Sequence, residues 1–179
     1  MENEKIIQDS AEPKKKPVKK TPVKIADDVN VRVKSTCFGQ LIFANKIGES
    51  TEWSENGEIQ VLTMKDLRDM KAQHIAFFKN QWVLILGTED ENDGITASDI
   101  INSLAITKYY ENYVDPTNAK DICSWEPKAI RERVNMLSDG AKANLVVSLN
   151  KFIKEGKLDS MKRIKAFEEA LGCDLAVAE

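Results

Sequence analysis

The chain has 179 residues, with 26 Lys and Arg against 29 Asp and Glu, for a net charge of −3. Hydrophobic residues make up 42% and charged residues 31%, which supports a packed core under a charged surface and excludes a wholly disordered chain. No apolar run approaches the ~18 residues of a bilayer-spanning helix, so no membrane partner is expected.

The charge is unevenly spread. Residues 1–25 hold seven Lys and four acids, a net of +3, while residues 26–179 hold 19 basic and 25 acidic residues, a net of −6. Between Pro13 and Lys24 lie Lys14, Lys15, Lys16, Lys19, Lys20 and Lys24, three Pro and no acid. Like charges repel and Pro removes backbone donors, so residues 1–26 are expected to form an extended arm. Glu2 and Glu4 precede it without an apolar stretch, which is not the pattern of a secretory signal. The stretch from Pro13 to Lys24 has no aromatic and no Arg, so any nucleic-acid contact it made would be sequence-blind and salt-sensitive.

Residues 27–88 read as a small β-rich domain. Val29, Val31 and Val33 alternate with polar residues, the period of a half-buried strand. Leu41 to Ala44 is a second strand and Glu49 to Trp53 a short third. Asn56-Gly57 signals a hairpin into a fourth, Glu58 to Leu62. Thr63 with Asp66 resembles a capping box, followed by Leu67, Met70, His74, Phe77 and Phe78 at helical spacing. The lone His is expected to be half-buried and hydrogen-bonded on that stripe. Trp82 to Leu86, continuously apolar, is expected as a central fifth strand ending at Gly87.

Residues 89–179 read as a helical subdomain. Acids at 89, 91 and 93, loop positions 1, 3 and 5, with Gly94 at position 6 resemble the start of a calcium loop, but position 12 is Ile100 where a bidentate carboxylate is needed, so a solvated acidic loop is expected. Thr96 with Asp99 opens a helix. Tyr109, Tyr110 and Tyr113 cluster after it, large side chains suited to an interface or to packing between the two halves. Asp115-Pro116 is a stop. Ser124 is expected to open the next helix, with Pro127 in its first turn, and Ser138 and Asp159 to cap two more. The predicted fold class is therefore α+β: a five-stranded antiparallel sheet or partly open barrel with one helix, then the helical C-terminal part.

The chemistry is bounded by what is scarce. Three Cys at 37, 123 and 173 form no C-x-x-C, and with one His they exclude a zinc site of the usual spacing. The odd count fits free, buried thiols in a reducing compartment. No phosphate-binding, dinucleotide-binding, metalloprotease or nucleophile-elbow motif occurs, so neither an enzyme nor a cofactor is expected.

Five segments carry a resemblance: VRVKS at 31–35, FGQLI at 38–42, MKDLRDM at 64–70, FFKNQWVLI at 77–85 and LDSMKRIKAF at 158–167. Together they resemble a family of small virion proteins of tailed bacteriophages, over residues 27 to 175. The resemblance implies a non-enzymatic component of the head, the portal-proximal neck or the tail, made in the host cytoplasm and working in the virion. Its partners would be portal, capsid, neck or tail subunits, in a symmetric homo-oligomer. The candidate interaction residues are the six Lys of the arm and the three Tyr. The alternative is a small-barrel nucleic-acid-binding protein that places the arm, with Arg32 and Lys34, on phosphates.

Overall fold

The computed structural model describes residues 24–90 and 93–175. Its chain order is β1 (Asn30–Ser35), β2 (Leu41–Ala44), β3 (Ser50–Trp53), β4 (Ile59–Thr63), α1 (Met64–Gln73), α2 (Ala76–Lys79), β5 (Val83–Thr88), α3 (Ala97–Ser103), a 3₁₀ turn (Thr107–Tyr109), α4 (Ala119–Ile122), α5 (Pro127–Asn135), α6 (Asp139–Lys154) and α7 (Met161–Leu171). The architecture is α+β, with seven α-helices and two small antiparallel sheets among the described residues.

The strands fall close to where alternation places them, but they do not make one five-stranded sheet or a closed barrel. One sheet has the order β4-β1-β5 and the other pairs β2 with β3. Strand β1 is therefore central and β5 lies at an edge. The continuous apolar character of β5 has a different cause. Its inward face, with Val83 and Ile85, joins the sheet core, and α3 packs against the same strand. The register of β1 with β5 shifts between Arg32 and Val33, where Gly87 faces Arg32 and Ile85 faces Val33, leaving Leu86 as the extra residue of a bulge.

The Asn56-Gly57 turn does not join a β3–β4 hairpin. The Gly57 amide donates to the Ser35 carbonyl at 2.8 Å, and the Asn56 side chain donates to the Thr36 carbonyl at 2.9 Å. Gly57 takes φ +91, which an L side chain rarely adopts. The turn thus carries the chain from one sheet to the other. Trp53 bridges the same gap from within: it is fully buried, and its indole N–H donates to the Val33 carbonyl at 3.0 Å.

Thr63 starts α1 with a complete capping box. Its hydroxyl accepts from the Asp66 amide at 3.1 Å, and the Asp66 carboxylate accepts from the Thr63 amide at 3.0 Å. Burial pushes the Asp66 carboxyl up, but hydrogen bonds from Thr63 and Asn45 outweigh this and hold it below its ordinary value. Thr63→Ala is expected to cost about 1 kcal/mol at neutral pH by denaturant titration. A carboxyl depressed in the folded state stabilises above its unfolded pKa and loses that contribution as pH falls through the folded value. The gap between wild type and Thr63→Ala should therefore narrow on acidification.

The predicted long helix is in fact two. α1 ends at His74, whose φ of −137° and ψ of 57° leave the helical region, and α2 restarts at Ala76. The break turns Phe77 and Phe78 into the core and leaves His74 exposed rather than half-buried. Its ring is edge-on to that of Phe43 and tilted against that of Phe77, with centroids 6.3 and 6.1 Å away.

Two hydrophobic clusters form. The first runs from Ile25 to Ile106 and takes in both sheets, α1, α2 and α3. The second runs from Ile122 to Leu175 around α5, α6 and α7. Helix α3, with Ile100 and Leu104 buried, belongs to the first. Glu126 rather than Ser124 precedes α5, and the Ser124 hydroxyl instead donates to the Asp121 carbonyl at 2.6 Å. Ser160, not Asp159, precedes α7, while Ser138 caps α6 as expected, accepting from the Ala141 amide at 3.3 Å. No described helix is long and apolar enough to cross a membrane.

Candidate functional site

The two clusters meet along a seam built from the α2–β5 connection, the segment 107–117 and the α5–α6 corner. Gln81 is its hub. With φ +55 it holds a left-handed conformation that is uncommon for a residue with a side chain. Three contacts fix it there. The Thr36 hydroxyl donates to the Gln81 carbonyl, the Thr36 amide donates to the neighbouring Trp82 carbonyl at 2.9 Å, and the Gln81 side-chain amide donates to the Tyr109 carbonyl at 2.6 Å. On the other side, α6 abuts Asn80 so closely that a Cβ on Gly140 would lie 2.5 Å from the Asn80 Cβ and 2.8 Å from its carbonyl oxygen.

The three tyrosines converge on this seam. The Tyr110 hydroxyl donates to the Val83 carbonyl at 2.7 Å, and its ring lies 5.8 Å from that of Tyr113. Burial pushes both phenols well above their ordinary pKa, and for Tyr113 the nearby Asp115 and Tyr110 add to this, so both stay protonated donors. Lys108 covers the Tyr109 ring at 4.9 Å. On the outward face of β1, the Lys34 ammonium is held by Asp115 and by the Thr117 hydroxyl at 3.0 Å. Lys34 is thus committed to joining the two clusters, and its 14% exposed side chain offers little to a phosphate.

Two small hollows open on the seam. One, of about 280 Å³, is lined by Lys79, Gln81, Lys108, Tyr109 and Ser138 among others; the second, of about 210 Å³, by Tyr113, Val114 and Arg133. They share Asn112 and Met136. The Gln81 Oε1 and the Tyr113 hydroxyl are buried here without a hydrogen-bond partner. A third hollow, shallow and acidic, lies elsewhere between Asp28, Asn30, Glu89, Asp90 and Asp93, with a volume of about 370 Å³.

Of the sequence-predicted site residues, Lys14, Lys15, Lys16, Lys19 and Lys20 lie outside the described residues, as do Glu91 and Asn92 of the acidic loop. Lys24 is exposed at the point where the chain joins the body. The next residue, Ile25, is buried, and its carbonyl accepts from Arg68 at 2.7 Å. Lys79, Gln81, Lys108, Arg133 and Met136 were not singled out by the sequence. They come from positions up to 57 residues apart along the chain, and no local pattern links them.

The cysteines are free and half-buried, and burial raises the thiols of Cys37 and Cys123, which keeps them protonated. Among the described residues no group of three or more His, Cys, Asp or Glu is disposed to hold a metal ion. Comparison with family models, curated proteins and solved structures found no match.

Proposed function

We propose that the chain is a non-enzymatic structural component of a bacteriophage virion, in the head, the portal-proximal neck or the tail, and that it assembles through protein–protein contacts with its N-terminal arm. The observation that carries this reading is an uncovered apolar surface on an outer strand. On β4, Ile59 and Val61 point away from the core and are 48% and 44% exposed. They flank Lys34 and Arg32 across the β1 register. Segment 113–117 reaches the Lys34 end of this face and leaves β4 bare. An outer strand with outward Ile and Val invites pairing with another chain.

Two further features support the same reading. The arm, at +3, is opposite in sign to the −6 body, so one copy is complementary to the next. Four of the five segments that resemble the virion family fall in β1, β2, α1 and the α2–β5 stretch, all packed around the first core. In a symmetric ring each such contact is repeated at every interface, so modest contacts add up.

The test is a double substitution, Ile59→Lys with Val61→Lys. Both side chains are exposed, so the melting temperature should change little. Incorporation of the chain into phage particles should fall at least tenfold in a complementation assay. Wild-type incorporation of the doubly substituted chain would overturn the reading.

A further inference from the structure

The seam hollows differ in charge from the rest of the body. Lys79, Lys108 and Arg133 stand at their rims, all exposed, and no acidic side chain is among the described residues that line them. Residues 26–179 as a whole carry −6. Inside, the Oε1 of Gln81, a residue only 5% exposed, lacks a donor, and the Tyr113 hydroxyl lacks an acceptor. Met136, at the join of the two hollows, is 60% exposed. An occupant that satisfied all of these would be acidic, would bring backbone amide and carbonyl groups, and would carry an apolar side chain to cover Met136.

The chain contains such a segment. Residues 1–12, MENEKIIQDSAE, hold four acids and one Lys, a net of −3, with Ile6 and Ile7 side by side. The next twelve residues, 13–24, hold six Lys, three Pro and no acid. The +3 arm is thus an acidic tip on a basic spacer. We infer that residues 1–12 of one copy dock in the seam hollows of a second copy, while the basic spacer crosses that copy's acidic surface. The Glu and Asp side chains of the tip meet Lys79, Lys108 and Arg133, a tip amide donates to Gln81 Oε1, a tip carbonyl accepts from Tyr113, and an isoleucine covers Met136. This rests on the arm acting between subunits, as proposed above.

The experiment uses the full chain. Isotope-labelled and unlabelled protein are mixed in equal amounts, joined with a zero-length carboxyl–amine crosslinker, digested and read by mass spectrometry. Links from Glu2, Glu4, Asp9 or Glu12 to Lys79 or Lys108, including labelled–unlabelled pairs, are expected. The double variant Lys79→Glu, Lys108→Glu, which reverses the charge the tip would meet, should self-associate at least tenfold more weakly by sedimentation, with unchanged circular dichroism because both side chains are on the surface. Absence of the links, links confined to single chains, or undiminished self-association of the variant would overturn the inference. The readout needs no phage particle, so a failure of the virion reading would leave it intact, and the particle assay above is read separately.

Discussion

Trp53→Ala is expected to lower the stability of the chain by about 3–5 kcal/mol. Trp53 is fully buried at the end of β3, where its ring fills the space between the two sheets and its indole N–H donates to the Val33 carbonyl on the central strand. Truncation opens a cavity and removes the link that seats β2 and β3 against β1. For a chain of this size the melting temperature should fall by about 10 °C. Trp53→Phe separates the two effects. It keeps most of the apolar volume but leaves the Val33 carbonyl short of a donor, and should cost about 1–3 kcal/mol. If Trp53→Ala melted within a degree or two of wild type, the two sheets would not be joined through this residue.

Gly140→Ala should be destabilising by about 1–3 kcal/mol, against the usual direction of that substitution in a helix. Helix propensity alone favours Ala by up to ~1 kcal/mol. Here the new Cβ would meet the Asn80 Cβ, carbonyl oxygen and Cα at 2.5, 2.8 and 2.9 Å, all well inside van der Waals contact. Two of those three atoms are backbone and cannot swing aside, so the clash outweighs the propensity gain and pushes α6 off the α2–β5 connection. Trimming the neighbour to Gly in Asn80→Gly should rescue only part of the loss, because the carbonyl oxygen and Cα remain. Thermal unfolding of the single and double variants checks both points, and a Gly140→Ala protein as stable as wild type would contradict the packing of the seam.

The parts of this molecule that were legible in its sequence are those decided by a few neighbouring residues. Thr63 with Asp66 and Thr96 with Asp99 both form complete capping boxes, since cap and partner lie three residues apart. Val31 and Val33, and Leu41 and Phe43, face inward as their alternation requires. Strand pairing was not legible. A period of two fixes which face of β3 is buried but not which strand lies beside it, and the Asn56-Gly57 turn fits a hairpin as well as the crossing between sheets that it makes. Nor does helical spacing across His74 reveal the break there, because Phe77 and Phe78 stay apolar whichever way the chain turns. The tyrosine cluster was visible as a cluster, yet its anchor, the Val83 carbonyl, is 27 residues away. The seam hollows were least visible of all, since the left-handed Gln81 and the close approach at Gly140 leave no mark in composition.

The proposal that the chain is a repeated subunit of a phage particle is checked by quantitative mass spectrometry of purified, nuclease-treated particles from cells producing the chain. The chain should be present at a fixed multiple of copies per particle, in constant ratio to the portal or tail subunits across preparations. Abundance in the lysate with none in the particles would contradict it.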